Sequence, residues 1–251
     1  MSQYINLTRF GRLVRKHLAE HAMGYLLGAA VLLGGLLVLL GFLTYIQHRP
    51  LNEGVQAILF MLCLLGAGSF FASTIFAQYG AGRQAALALT LPASQLEKYL
   101  LAWLLSLPVF LVVFAADFYL ADWLVMHLVS PTPGPLLPLL SGHEVPGLRL
   151  FLALHGLALF GSIFFPRLAF VKTAFLVLGV AVLVGVVNFQ LLNSWLGGNL
   201  GMAIPFGAAS VQGAGPLLLP AAQERWLVGL PLALALLLWA AAYARLTEKQ
   251  L

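Results

Sequence analysis

The chain has 251 residues, of which 61% are hydrophobic and only 8% are charged, whereas an average soluble domain has about 25% charged residues. A water-soluble globule of this size could not bury so much apolar surface, and a disordered chain needs low hydrophobicity, so we predict an integral membrane protein. The net charge of +5 then indicates topology rather than nucleic-acid binding, and a single cysteine excludes an internal disulfide framework.

The first predicted element lies before the first long apolar stretch. Residues 3–20 carry an apolar residue at every third or fourth position: Tyr4, Leu7, Phe10, Val14 and Leu18. These residues share one helix face. The opposite face carries four charged residues: Arg9, Arg12, Lys16 and Glu20. An apolar stripe opposite a basic face is typical of a helix that lies in the membrane interface and contacts lipid. The alternative is that the basic residues only set the topology.

Uncharged stretches that are long enough to cross a bilayer then follow. About 20 apolar residues are needed to cross about 30 Å of hydrocarbon, and on that basis six transmembrane helices are predicted at about 22–46, 54–79, 97–124, 149–165, 169–190 and 224–244. The fold class is therefore all-α, with residues 1–251 forming one transmembrane domain. If both termini are inside, ten of the thirteen Lys and Arg residues are cytoplasmic. This distribution predicts an N-in, C-in protein that crosses the inner (plasma) membrane several times.

The loop between spans two and three has its own pattern. Residues 83–91 are good helix formers but too few to cross a membrane, and Pro92 ends this short helix because the residue before a proline disfavours the α region. Ser94 and Glu97 match an S-x-x-E capping box that starts the third span. The short helix carries three leucines with few charges nearby: Leu87, Leu89 and Leu91. Exposed leucines of this kind indicate a docking site for a partner, a helix half-sunk among lipid headgroups, or a plain linker.

Two stretches resemble a known family. Residues 91–100, Leu-Pro-Ala-Ser-Gln-Leu-Glu-Lys-Tyr-Leu, follow a short helix after span two and resemble the permease subunits of ABC-2 type ABC transporters. Residues 161–173 resemble the tight inner hairpin between spans four and five of small bacterial permeases of this type. The predicted layout, an interfacial helix followed by six spans with both termini inside, is similar as well.

The resemblance implies a working unit of two permease copies and two cytoplasmic ABC ATPase subunits. Residues 83–91 would be the coupling helix that enters a groove on the ATPase, and the N-terminal helix would lie beside it as the connecting helix. The implied ATPase-coupling residues, which transmit force rather than perform chemistry, are Arg83, Gln84, Leu87, Leu89, Leu91, Pro92, Ser94, Glu97 and Lys98. No Gly-Lys pair occurs in the sequence, so a Walker A loop is absent. We therefore expect no catalytic activity and no cofactor or metal in this chain, with ATP and Mg²⁺ on the partner subunit.

A few polar residues fall inside the predicted spans, where charge is costly. Asp117 and Asp122 lie toward the outer end of span three, and His155 is the only histidine well inside a span. These three are candidates for a translocation path; alternatively, the carboxylates reach headgroups and the histidine is hydrogen-bonded within the bundle. Pro108 interrupts span three and favours a kink. Ser162 and His155 would be the only nucleophile–base pair of an intramembrane enzyme, but seven residues separate them by about 10 Å along a helix, too far for a hydrogen bond.

The segment 193–220 contains nine glycines and prolines among apolar residues. It is too broken to span, so we expect an outer-surface or re-entrant segment that must be shielded wherever it enters lipid. Taken together, these patterns favour a transport subunit driven by a separate ATPase. The alternatives are an ion-coupled carrier, which usually shows inverted repeats and intramembrane charges, or a non-catalytic membrane scaffold.

Overall fold

A computed structural model of the chain describes residues 6–76, 94–128, 135–137, 145–165, 167–205, 209–213, 215–217 and 221–248. In chain order, the described residues form α1 (Leu7–Gln47), α2 (Glu53–Thr74), α3 (Gln95–Leu104), a π-helix (Leu105–Val109), α4 (Phe110–Leu128), α5 (Val145–Phe164), α6 (Ala169–Trp195), β1 (Leu200–Ala203), β2 (Ala209–Val211), β3 (Gly215–Leu217) and α7 (Ala221–Glu248). Predominantly apolar segments uninterrupted by charge thus become helices, because a helix satisfies every backbone hydrogen bond within the segment.

Within the described residues, six helices are long and apolar enough to cross a membrane. They are α1, α2, the continuous run from α3 through α4, α5, α6 and α7. The six helices lie at the positions of the six predicted spans, with ends that differ by a few residues, except at the start of α1. Many side chains on the outside of these helices are large and apolar, such as Val31 (74% exposed) and Phe175 (73% exposed). This is the surface expected of helices that contact acyl chains.

α1 joins two elements that the sequence predicts separately. It runs without a break for 41 residues, or about 60 Å at 1.5 Å per residue, roughly twice the thickness of the hydrocarbon. The predicted interfacial segment 3–20 and the predicted span 22–46 are therefore parts of one helix over the described residues, and α1 is far longer than a crossing requires. A location in the membrane interface stays a prediction for the first turns.

Helix α5 is the centre of the bundle. It packs against α2, α6 and α7, while α1 packs along α4. One buried cluster joins α1, α2, α4 and α5 through side chains such as Phe60, Phe114, Phe118 and Phe151. A second cluster joins the start of α3 to the ends of α5 and α7. Glycine permits α2 and α5 to approach closely, because a Cβ at Gly68 of α2 would collide with the Phe151 ring.

The segment before α7 corrects the all-α prediction. Among the described residues of 193–220, β1, β2 and β3 form an antiparallel sheet in that order. Gly197, Gly198, Gly213 and Gly215 all have positive φ, a conformation that glycine adopts without steric cost. Three very short strands with turns between them satisfy backbone groups that a broken helix would leave open. The predicted outer or re-entrant segment is thus a small sheet in its described part.

Candidate functional site: a carboxylate that joins two helix starts

The first candidate site is the corner at which α3 begins. The predicted capping box is present: the Ser94 hydroxyl accepts a hydrogen bond from the Glu97 amide (3.2 Å), and the Glu97 carboxylate accepts one from the Ser94 amide (3.0 Å). The box satisfies backbone donors that have no partner within the helix. Glu97 is fully buried and Lys98 is 3% exposed, so the predicted coupling residues at this end of the loop belong to the packed protein.

The same carboxylate also holds the start of α1. Glu97 Oε1 accepts a hydrogen bond from the backbone amide of Asn6 (3.0 Å), and Asn6 itself caps α1 by accepting hydrogen bonds from the amides of Thr8 (3.0 Å) and Arg9 (3.3 Å). One carboxylate therefore contacts the N-termini of two helices. Helix N-termini carry partial positive charge, which favours an anion at this position.

Arg9 completes the arrangement. Its Nε donates to Glu97 Oε2 (2.8 Å) and its Nη2 donates to Glu97 Oε1 (2.8 Å). Such a two-pronged, charge-assisted pair fixes orientation as well as distance. We call Asn6, Arg9, Ser94 and Glu97 the Glu97 junction. The sequence predicts its Ser94–Glu97 half, but not that Asn6 and Arg9 join it, because 88 residues separate Arg9 from Glu97.

The remaining predicted coupling residues, Arg83, Gln84, Leu87, Leu89, Leu91 and Pro92, lie outside the described residues. On α1, Arg12 and Lys16 are exposed, whereas Phe10 and Val14 are half-buried. Arg9, which the sequence places on the same face as Arg12, is instead partly buried and bonded to Glu97. Leu7, a member of the predicted stripe, is 81% exposed, so the apolar face is not uniformly covered by protein.

A second polar cluster lies inside the bundle around His155. Its Nε2 lies 3.0 Å from Ser106 Oγ, and the indole N–H of Trp239 donates to its Nδ1 (3.1 Å). An indole N–H can only donate, so Nδ1 must be unprotonated and the proton of the neutral ring must lie on Nε2. That proton points at Ser106, whose hydroxyl lies 3.4 Å from the carbonyl of Trp103. His155 therefore donates to Ser106 and cannot accept its proton.

This geometry bears on the enzyme hypothesis and on the translocation-path hypothesis. Ser162 donates to the Leu159 carbonyl (2.6 Å), so Ser162 and His155 do not form a nucleophile–base pair. Protonating Nδ1 would break the bond to Trp239. His155 thus ties together α5, α7 and the π-helix that contains Ser106 and Pro108. Sequence reasoning missed Ser106, although Pro108 marks the irregular turn where it lies.

The two aspartates occupy another part of the bundle. Asp122 is fully buried and Asp117 is partly buried. Sixteen residues separate Asp122 from Ser106, the hydrogen-bond partner of His155, which corresponds to about 24 Å along the helix. The three predicted path residues are therefore not brought together into one site.

The connection between α5 and α6 is short. α5 ends at Phe164 and α6 begins at Ala169, and Leu168 adopts a left-handed conformation with φ 53°. Lys172 stands over the ring of Phe165, 5.6 Å from its centroid. The described part of this connection therefore reverses the chain within a few residues.

Comparisons of the chain with protein-family models, with curated proteins and with solved structures found no match.

Proposed function

We propose that this chain is the membrane-spanning permease subunit of an ABC transporter, which moves its substrate with ATP hydrolysed by a separate subunit. The observation that carries the proposal is the Glu97 junction. It bonds the start of α3, directly after the loop that resembles a coupling helix, to the start of α1. A force applied to residues 83–92 would then act on two membrane helices together rather than on one.

The geometry of the junction suits this task. Glu97 is buried and holds three groups at once, the Arg9 fork and two backbone amides. A bidentate pair resists rotation better than a single hydrogen bond, so α1 and α3 would move as one body at this end. In this proposal the ATPase and a second permease copy, identical or related, are the protein partners. ATP and Mg²⁺ belong to the ATPase, and the assembly lies in the inner membrane with both termini in the cytoplasm.

An ion-coupled carrier is the second candidate, and one observation favours it: the fully buried carboxylate of Asp122. Intramembrane carboxylates are costly and commonly mark ion or proton pathways. A non-catalytic scaffold is the third candidate, but no contact in the described part of the chain favours it.

Purification from the native host tests the proposal. The tagged chain should retain a polypeptide that carries a Walker A loop, and the purified complex should hydrolyse ATP. The double substitution Leu87→Asp and Leu89→Asp should abolish both the retention and the ATP hydrolysis, because it places charges on the face that docks. Leu168→Asp is the matched control: Leu168 is 71% exposed on the other predicted cytoplasmic connection, and the aspartate should be tolerated there.

Three outcomes are informative. Loss of the ATPase in the double variant and its retention in the control support the proposal. Equal retention in both variants would place the ATPase contact elsewhere and remove the role assigned to residues 83–91. A chain that drives ion-dependent uptake in liposomes without any ATPase would refute the proposal and favour the carrier.

A further inference from the structure

Asp122 lies on α4 beneath residues 135–137. Its carboxylate is fully buried, and the backbone amide of Leu137 faces it. Within the described residues, however, neither carboxylate oxygen has a hydrogen bond of good geometry. An ionised carboxylate buried in this way is strongly unfavourable unless something pairs with it.

Gln56 of α2 lies in the same layer as Asp122. The rings of Phe60 and Phe118 touch edge to face, with centroids 5.0 Å apart. Gln56 precedes Phe60 by four residues and Asp122 follows Phe118 by four, so each lies one helical turn from this contact. The short segment 135–137 contacts both residues: the Pro135 carbonyl accepts a hydrogen bond from Gln56, and the Leu137 amide faces Asp122. Gln56 and Asp122 therefore lie toward the same end of the bundle.

The orientation of the Gln56 amide follows from its partners. Its Nε2 donates to the carbonyls of Leu51 and Pro135, both at 3.0 Å. Reversing the amide would place its oxygen against two acceptors, so the assignment is determined by the hydrogen bonds. The Oε1 atom is then an acceptor, and it is buried without a partner among the described residues. Two buried groups that can only accept therefore lie in the same layer, next to residues 135–137.

We propose that Asp122 and Gln56 form a binding site for one small monovalent cation, a proton or a sodium ion. A proton on Asp122 would donate to Gln56 Oε1 and satisfy both groups. A sodium ion would take oxygen ligands from both. We expect the bound cation to carry a single positive charge, because the site supplies one carboxylate and one neutral amide. Tyr119 donates to the Leu137 carbonyl (2.8 Å) and holds residues 135–137 over the site. The proposal does not rest on the ABC-transporter assignment.

Other groups near this end of α1, α2 and α4 have different surroundings. Tyr119 is bonded to Leu137, and Asp117 lies more than one turn deeper on α4. Five further charged or titratable residues in the described part of this end are exposed: Tyr45, His48, Arg49, Glu53 and His127. Among these groups, Asp122 is thus the carboxylate that is fully buried without a partner. Its negative charge therefore requires a bound cation.

The test uses the full-length protein in detergent and records its unfolding temperature. Sodium is exchanged for N-methylglucamine at constant ionic strength, at several pH values from mildly acidic to mildly alkaline. In Asp122→Asn the carboxamide donates to Gln56 Oε1 without a cation, so the cation dependence should be lost. Asp117→Asn makes the same charge change on the same helix and should keep the wild-type dependence.

The two cations give different results. If sodium binds, the unfolding temperature of the wild type rises with sodium at fixed pH, and Asp122→Asn no longer responds. If a proton binds, sodium has no effect. The protonated site then stabilises the folded state at low pH, this stability is lost as the pH rises, and the loss disappears in Asp122→Asn.

A second variant keeps the test decisive if Asp122→Asn fails to fold. Gln56→Lys supplies a cation from the protein itself, so it should also abolish the dependence on sodium or on pH. If the wild type and the folded variants respond to sodium and pH in parallel, the proposal is overturned.

Discussion

The hydrogen bonds of His155 allow a quantitative prediction. His155→Leu places an apolar side chain of similar size at a fully buried position, and it removes the hydrogen-bond partner that the Trp239 indole and the Ser106 hydroxyl share. Hydrogen bonds between membrane helices contribute on average about 0.6 kcal/mol and at most about 1.7 kcal/mol. Losing two should therefore lower the free energy of unfolding by about 1–3 kcal/mol. Ser106→Ala and Trp239→Phe each remove one bond and should cost about half as much.

Unfolding in mixed micelles, followed by circular dichroism so that Trp239 is not also the reporter, measures these differences. The double variant Ser106→Ala, Trp239→Phe should approach the effect of His155→Leu. Nitrogen NMR of the labelled imidazole should show the proton on Nε2, because the indole occupies Nδ1. A proton on Nδ1, or a His155→Leu protein as stable as the wild type, would refute the hydrogen-bonding scheme.

Three further predictions concern other contacts. Arg9→Ala should lower the unfolding temperature because the buried Glu97 loses its bidentate partner, whereas Arg12→Ala, exposed on the same helix, should not; equal shifts would contradict the junction. Gly68→Ala should cost about 1–3 kcal/mol by overpacking in chemical unfolding, because the new Cβ meets the ring on α5; an unchanged midpoint would mean that α2 and α5 are not so close. Leu183 is 63% exposed. In a protein whose Cys63 has been replaced by Ala, Leu183→Cys should react in liposomes with a lipid-soluble thiol reagent and not with a water-soluble maleimide. Equal labelling by both reagents would place this face in water.

Local signals account for the parts of the fold that could be predicted. Six uncharged apolar stretches predict six helices because each helix satisfies its own backbone. The Ser94–Glu97 capping box is equally local, since its two residues lie three positions apart. The irregular turn at Pro108 follows from the missing amide of proline, although its form as a π-helix depends on packing.

The contacts of the candidate sites could not be predicted in this way. Arg9 lies 88 residues from Glu97, and Ser106 lies 49 residues from His155. No periodicity within a segment specifies which face of one apolar helix meets which face of another. The small sheet before α7 was missed for a related reason, since its strands are three or four residues long and carry no alternation that could be read.

The amino-acid sequence by itself thus determined six helices long and apolar enough to cross a membrane, and the start of the third of them, because hydropathy and capping act over a few neighbouring residues. Only the tertiary structure decided that Glu97 binds two helix starts, that His155 is a donor to Ser106 and that Asp122 and Gln56 are buried in the same layer of the bundle. Polar groups buried among apolar helices need partners, and which partner each group finds depends on how the helices pack.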